Sequence, residues 1–202
     1  MPIAVTEAPY RPVPLDPPRK RWTRDECAAL EATGLLSQQQ NLELVEGELI
    51  DKLGKKRPHV NAPSLLMAWL IRVFGWDFVN TEAPIDVAPE DNPTNEPVPD
   101  IIVLARPSSE IEKSNPVPAD VRLIVEVSDT TLGFDLMAKA SLYARAGIPE
   151  YWVLDIAFRR LVVHRNPASG RYSTVTAYSD QESVAPLAAP HAEFHVASAF
   201  RS

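Results

Sequence analysis

Two uninterrupted apolar segments, separated by a helical one, constrain the fold of this chain more than any other feature. Residues 123–125 and 151–154 carry only β-branched, aliphatic and aromatic side chains, which is typical of strands buried on both faces of a sheet. Residues 135–146 lie between them, and their apolar side chains share one helical face: Leu136, Ala140, Tyr143 and Ala144. Gly147 and Pro149 end that helix. Two parallel strands joined by a right-handed crossover are therefore predicted.

Two more helices are predicted before these strands. Thr23 and Glu26 have the spacing of a capping box, which predicts a helix that reaches about Thr33 and ends at Gly34. Residues 64–74 predict a second helix, because their apolar side chains follow a helical spacing: Leu65, Leu66, Trp69, Leu70 and Val73.

The remaining apolar patterns predict strands. Residues 42–50 alternate around Gly47, which predicts a strand bent at the glycine. Residues 101–104 form a continuous apolar run and predict another buried strand. Residues 161–165 and 172–177 flank a segment rich in turn-forming residues, which predicts a β-hairpin.

Length and proline placement favour a single domain. A chain of 202 residues with 45% hydrophobic side chains can bury one sizeable core. The 20 prolines concentrate between elements, and residues 1–20 have the composition of an extended arm. We therefore predict an arm over residues 1–20 and one domain over residues 21–202, with loops at residues 89–99 and 107–118.

Charge and cysteine content narrow the functional classes. The net charge of −7 has the wrong sign for a protein that coats nucleic acid, but clustered metal-binding carboxylates would also produce it. Cys27 is the only cysteine, so no internal disulfide is expected. Neither a membrane-spanning segment nor a signal-like start is apparent, and we expect a cytoplasmic protein.

Basic side chains cluster at two places: Arg19, Lys20, Arg21 and Arg24, then Lys52, Lys55, Lys56 and Arg57.

Two carboxylates stand in unusual places. Asp100 opens a buried strand directly after Pro99, and Glu126 lies near the end of another. A carboxylate in a sheet interior is costly unless something pairs with it, and Mg²⁺ is one such partner. Solvation at the strand ends, or pairing with an arginine, is an equally good interpretation of this pattern.

Lys139 sharpens the metal interpretation. It flanks the apolar face of the helix that follows the Glu126 strand, and Asp135 lies one helical turn earlier. An ammonium there could orient a metal-bound water and stabilise charge on a phosphate. Taken alone, an exposed lysine on an amphipathic helix is the simpler interpretation.

The order of these motifs matches a known family. The segment LIVEVSDTTLGFDLMAKASLYARAGIPEYWVLD, at residues 123–155, closely resembles a large bacterial family of restriction endonucleases that is itself similar to the PD-(D/E)XK nuclease superfamily. PDIIVL at residues 99–104 resembles its PD motif. NLELVEGELI at residues 41–50 and RWTRDECAALEATGLL at residues 21–36 resemble its N-terminal strand and opening helix.

The resemblance implies an α/β, restriction-endonuclease-like fold with a central mixed β-sheet flanked by α-helices. It also implies phosphodiester hydrolysis that depends on Mg²⁺ (or Mn²⁺). Asp100 would be the motif aspartate and Glu126 the motif glutamate. The superfamily lysine normally follows that glutamate by two residues, where this chain has Ser128, so Lys139 would replace it from the next helix.

An acid near Gly47 would complete the metal shell. Glu46 fits the family pattern best, and Glu43 is the alternative. The resulting catalytic set is Asp100, Glu126, Lys139 and Glu46, with Asp100, Glu126 and Glu46 as metal ligands. His59 matches a histidine often seen after that strand and could contact phosphate, although a lone histidine is more often structural.

Two functions remain open at the level of sequence, and a third possibility is a nuclease with another substrate, such as RNA or a branched DNA. The first is a Mg²⁺-dependent DNA endonuclease, working as a homodimer because cutting both strands often needs a symmetric pair. The second is a catalytically inactive nuclease fold that binds nucleic acid or protein. The acidic charge and Ser128 favour the second, and the position of Lys139 relative to Asp100 and Glu126 distinguishes the two.

Overall fold

A computed structural model describes residues 19–36, 42–52, 61–111 and 114–200. The α-helices in these residues are α1 (Arg24–Ala32), α2 (Asn61–Phe74), α3 (Leu132–Phe134) and α4 (Ala140–Arg145). The strands are β1 (Leu42–Val45), β2 (Glu48–Asp51), β3 (Val79–Thr81), β4 (Ile101–Leu104), β5 (Val121–Ser128), β6 (Glu150–Asp155), β7 (Arg160–Ala168), β8 (Arg171–Ser179), β9 (Ser183–Val184) and β10 (Phe194–His195). A π-helical turn covers Asp135–Lys139, and 3₁₀ turns cover Trp76–Phe78, Asn92–Thr94, Ser108–Glu110, Pro118–Asp120 and Val196–Phe200.

A six-stranded mixed sheet in the order β3-β4-β5-β6-β7-β8 forms the centre of the fold. Strands β5 and β6 are parallel, and the other neighbouring pairs are antiparallel. The predicted parallel pair and the predicted mixed sheet are therefore confirmed. The two small antiparallel pairs, β1-β2 and β9-β10, lie outside this sheet.

Alternating side chains of the central strands build a core on each face of the sheet. On one face, Ile101, Val125 and Trp152 pack with α2 and with the segment near the C-terminus. On the other face, Ile102 and Ile124 pack with α4. Each such aliphatic or aromatic side chain contributes about 1.5–3 kcal/mol when fully buried. Helices on both faces agree with the predicted flanking arrangement.

The helical segment between β5 and β6 differs from its prediction in one respect. The sequence predicts a helix over residues 135–146, whereas helical structure begins at Leu132 and contains the π-helical turn Asp135–Lys139 before α4. A π turn adds a residue to one helical turn and occurs often at functional sites. Both end residues of this turn, Asp135 and Lys139, are buried.

The segment around Gly47 is a hairpin, so the predicted bent strand is wrong. Strands β1 and β2 pair in antiparallel register, with Val45 opposite Glu48. Glu46 and Gly47 form the two-residue turn, with φ angles of 52° and 73°. Positive φ at both central residues is what a tight type I′ hairpin turn requires, and the alternation of Leu44 and Leu49 suits a hairpin equally well.

Two other predictions are confirmed. Thr23 caps α1, because its hydroxyl accepts from the Glu26 backbone N–H and the Glu26 carboxylate accepts from the Thr23 backbone N–H. The predicted hairpin is formed by β7 and β8, which are longer than predicted and turn at Ser169 and Gly170. Most of the proline-rich arm, residues 1–18, lies outside the described residues.

Candidate active site

Asp100 and Glu126 are neighbours across strands β4 and β5. The register pairs Ile101 with Val125 and Ile102 with Ile124, so one further step along β4 brings Asp100 opposite Glu126. Both lie on the sheet face that α4 covers, because they share the alternation of Ile102 and Ile124. Their exposed fractions are only 6% and 2%. Asp100 is held by the Val127 N–H, which donates to its Oδ2 at 2.7 Å.

Lys139 reaches these carboxylates from the π-helical turn. Its Nζ lies 2.8 Å from Oε1 of Glu126 and 2.8 Å from Oε1 of Glu43. The side chain is 1% exposed, so the simpler interpretation of an exposed surface lysine does not hold. The structure therefore brings Asp100, Glu126 and Lys139 together at one end of the sheet.

Of the two glutamates near Gly47, Glu43 joins this group and Glu46 does not. Glu43 is buried in β1, and its Oε2 accepts from the Val98 N–H at 3.1 Å. Glu46 lies in the turn, where its carboxylate is half-exposed and pairs with Arg145. The reason is geometric: the left-handed turn at Glu46 ends the alternation that points Glu43 inward.

Backbone contacts fix the hairpin that carries Glu43. The Glu96 N–H donates to the Leu44 carbonyl at 2.7 Å, and the Gly47 N–H donates to the Thr94 carbonyl at 2.8 Å. The buried Asn95 side chain accepts from the Glu46 N–H at 2.7 Å. The segment before β4 thus holds β1, and Glu43 with it, against the sheet.

Two further polar side chains contact the group. Lys52 Nζ donates to Oδ1 of Asp100 at 3.2 Å and to the Val98 carbonyl at 2.5 Å. The Tyr143 hydroxyl donates to Oε1 of Glu126 at 3.1 Å. In the sequence, Lys52 is one member of a basic cluster and Tyr143 is an apolar helix residue, so neither is predicted to contact the site. Tyr143 follows Lys139 by four residues, and this spacing places both side chains on the same helical face, which could have indicated that Tyr143 lies near the site.

Five of the charged side chains described above form what we call the acid–lysine cluster: Glu43, Lys52, Asp100, Glu126 and Lys139. Burial raises the pKa of Glu126; the Lys139 ammonium opposes this shift, and the Asp100 carboxylate adds to it. Burial alone would lower the pKa of Lys139, but Glu126 and Glu43 outweigh it and raise that pKa above its ordinary value. Lys139 is therefore a cation that lies between Glu43 and Glu126, and Glu126 gives up its proton less readily than an ordinary glutamate.

The donor chemistry of Asp100 and Glu126 fits a hard divalent cation. Mg²⁺ is usually held by one or two carboxylates and keeps several waters. Glu126 uses Oε1 for Lys139 and Tyr143, and its Oε2 accepts no hydrogen bond from the residues that the structure describes. Within those same residues, no group of three or more histidine, cysteine or acidic side chains is arranged to hold a metal. A two-carboxylate site fits the structure, and Glu46 lies apart from it.

The comparisons with known proteins place the chain among the restriction-endonuclease-like proteins. The family described as "Uma2: Putative restriction endonuclease" matches residues 25–197, and the chain belongs to this family. The fold of this chain is similar to that of a protein whose crystal structure is described as "a putative nuclease belonging to DUF820 from Anabaena variabilis ATCC 29413". The TM-score is 0.63 at 17% identity, over 88% of this chain and 97% of that one. No curated protein matches the chain significantly.

These findings confirm the resemblance and the fold that the sequence predicts. Because the sequence identity is only 17%, the structural similarity supports the fold and says nothing about the function. Among the described helices, none has both the length and the apolar character needed to cross a bilayer. His59 lies outside the described residues, so its contact with phosphate stays a prediction.

Proposed function

We propose that this chain is a Mg²⁺- or Mn²⁺-dependent endonuclease that hydrolyses phosphodiester bonds of DNA at the acid–lysine cluster. The observation that supports this most strongly is the meeting of Lys139 with Glu126, beside Asp100, although these residues come from separate elements. A catalytic function requires Lys139 to lie beside Asp100 and Glu126, whereas a protein that only binds nucleic acid or protein does not require this arrangement. Membership of a family described as restriction endonucleases points the same way.

Asp100 and Glu126 would hold the metal ion. When bound, such an ion lowers the pKa of a coordinated water and neutralises charge on the phosphate. Glu43 supports the centre indirectly, because its carboxylate is engaged by Lys139 and by the Val98 N–H. Glu46 has no part in this proposal, since it pairs with Arg145.

Lys139 would act on the substrate through its remaining proton. An ammonium has three N–H donors. Oε1 of Glu126 accepts from one of them, and Oε1 of Glu43 forms an ion pair with the same ammonium. A further N–H would orient the attacking water or bind a phosphate oxygen. The carboxylates also keep the ammonium charged, because they raise the pKa of Lys139 against the effect of burial.

The test is cleavage of supercoiled plasmid DNA with Mg²⁺, with Mn²⁺ and with a chelator. We expect divalent-dependent nicking by the wild-type chain and a loss of at least about 100-fold in Asp100→Asn and Glu126→Gln. Glu46→Gln is the matched control, because it removes a nearby carboxylate charge outside the cluster, and it should retain activity. Equal cleavage by all four proteins would show that the cluster is not the active site.

A second candidate function is a catalytically inactive module that binds nucleic acid or protein. It is favoured by the ion pairs themselves, because Lys139 satisfies Glu43 and Glu126 without a metal. Calorimetric titration with Mn²⁺ separates the two functions: the endonuclease takes up Mn²⁺ and loses that uptake in Glu126→Gln. A module that binds DNA without Mn²⁺ uptake or cleavage would replace the first proposal.

The homodimer expected from the sequence stays a prediction, which sedimentation of the purified chain would test.

A further inference from the structure

We propose that the turn between β6 and β7, residues 156–159, is a stacking platform for an unpaired nucleobase. This inference rests on the proposed nuclease function and narrows its substrate to nucleic acid with unpaired nucleotides beside the cleaved bond. Phe158 is the side chain on which the base would stack. It is 70% exposed, although burying a phenylalanine is one of the larger favourable contributions available to a chain.

The topology of the sheet brings this turn to the same end as the acid–lysine cluster. Strands β5 and β6 run parallel, with Ser128 opposite Asp155, and the Ile156 N–H donates to the Ser128 carbonyl at 3.0 Å. Glu126 lies two residues before Ser128, so at usual strand spacings its backbone is about 7 Å along the sheet and about 4.8 Å across it from the backbone of Asp155. Phe158 follows Asp155 by three residues in the turn. We therefore expect a nucleic acid strand whose phosphate meets Glu126 to reach the turn that carries Phe158.

Asp155 holds the platform in a single arrangement. Its Oδ1 accepts from the Phe158 N–H at 3.1 Å, and its Oδ2 accepts from Nε of Arg160 at 2.8 Å. The Arg160 guanidinium then lies 5.1 Å from the centre of the Phe158 ring, in a cation–π contact. Because Asp155 is only 1% exposed, its two hydrogen bonds fix the backbone of the turn at Phe158 and the position of Arg160 beside the ring.

Arg159 in the turn and Arg160 at the start of β7 complement a phosphate backbone. Arg159 donates through Nε to Asp180, and Arg160 donates through Nε to Asp155. Within the described part of the chain, the Nη nitrogens of both side chains make no hydrogen bond. Although the Arg159 guanidinium also lies 4.7 Å from the centre of the Phe200 ring, these nitrogens could donate to phosphate oxygens. Each arginine already pairs with an aspartate, so the turn offers N–H donors beside an exposed aromatic ring rather than an excess of positive charge, and this combination suits a nucleic acid strand.

Stacking on Phe158 selects unpaired nucleotides. Bases inside a duplex already stack on their neighbours, whereas a base in a single strand, a flap or a fork offers an open face. One aromatic side chain on a turn can cover that face without reading the sequence of the base. Single-stranded and forked DNA should therefore bind more tightly than a blunt duplex.

The experiment measures binding in the presence of a chelator, so that no cleavage is required. Fluorescence anisotropy would compare single-stranded, forked and blunt-duplex DNA of equal length, and 2-aminopurine at an unpaired position would report stacking. Phe158→Ala should weaken binding of single-stranded and forked DNA about 5- to 150-fold and abolish the 2-aminopurine quenching. Phe158→Trp should retain both.

Trp76→Ala is the matched control, because Trp76 is an equally exposed aromatic residue next to the far edge strand β3. It should bind all three DNAs like the wild type. If Phe158→Ala binds all three like the wild type, or if the wild type does not prefer unpaired DNA, the platform is refuted.

Failure of the platform and failure of the nuclease proposal give different results. Binding that depends on Phe158, together with no divalent-dependent cleavage, supports the platform and removes the nuclease. Divalent-dependent cleavage that Phe158→Ala leaves unchanged on forked and blunt DNA removes the platform and leaves the nuclease standing.

Discussion

Glu43 and Lys139 form a buried ion pair, with 2.8 Å between Oε1 and Nζ. The glutamate belongs to the hairpin near the N-terminus, and the lysine belongs to the π-helical turn between β5 and β6. Both side chains are almost fully excluded from water. The pair therefore ties the N-terminal hairpin to the central sheet at the place where Asp100 and Glu126 lie.

Removing Glu43 should be far more costly than removing Glu46. Glu43→Ala leaves the Lys139 charge short of one buried partner, and breaking a buried pair in this way costs about 3–5 kcal/mol. Glu46→Ala breaks a half-exposed pair with Arg145, which is worth no more than about 1 kcal/mol. Urea denaturation gives both free energies of unfolding. Similar losses in the two variants would contradict the placement of Glu43 in the cluster.

Replacing Lys139 should separate stability from activity. Lys139→Met leaves two buried carboxylates without their cation and should destabilise the fold by about 3–5 kcal/mol. Adding Glu43→Gln and Glu126→Gln removes both charges and keeps oxygen acceptors for Val98 and Tyr143. This triple variant should recover most of the lost free energy of unfolding, yet remain unable to cut plasmid DNA. Plasmid cleavage by the triple variant would exclude a catalytic role for these residues.

His164 should make stability depend on pH. Burial lowers the pKa of its imidazole below the ordinary value of 6.5, and its Nδ1 has no hydrogen-bond partner among the described residues. The ring packs between Tyr151 and Tyr172. The unfolded chain thus binds more protons than the folded one just below pH 6.5, so the free energy of unfolding falls as the pH drops through that value.

His164→Phe should flatten this part of the pH profile, because phenylalanine keeps the aromatic packing and cannot take up a proton. Urea denaturation between about pH 5 and pH 7.5 measures the slope. His191→Gln serves as the control, since His191 is exposed, and it should leave the slope unchanged. A slope that persists in His164→Phe would assign the effect to another group.

Gly47 should tolerate alanine less well than Gly34. Both have positive φ, at 73° and 74°, so both substitutions carry a backbone cost of about 1 kcal/mol. A Cβ at Gly47 would also lie 2.8 Å from Cβ of Arg21, whereas a Cβ at Gly34 meets nothing within 4 Å. Thermal unfolding should therefore show a larger loss for Gly47→Ala. Plasmid cleavage should also fall in that variant alone, because the hairpin carries Glu43.

The sheet and the pair Asp100–Glu126 were accessible from sequence because local pattern determines them. Continuous apolar runs marked the buried strands, and a carboxylate at the end of such a run stood out. Lys139 was identified from family resemblance, since pattern alone favoured an exposed lysine.

Local sequence pattern could not decide whether Glu43 or Glu46 lies beside Asp100 and Glu126. It depends on a turn at Glu46 and Gly47 that the alternating pattern does not distinguish from a bent strand. The π-helical turn was equally hidden, because tertiary packing around Asp135 and Lys139 determines it rather than helix propensity. Lys52 was one of several nearby cations, and only the folded chain selects it for Asp100.

The antiparallel strands β6, β7 and β8 follow one another along the chain and pair through short turns. Contacts of this kind form early in folding, because little chain entropy is lost in closing them. The contact between Glu43 and Lys139 closes a much longer loop. Assembly of the cluster should thus come late on the folding pathway, and a chain that has formed its sheet would still lack a complete site until the N-terminal hairpin docks.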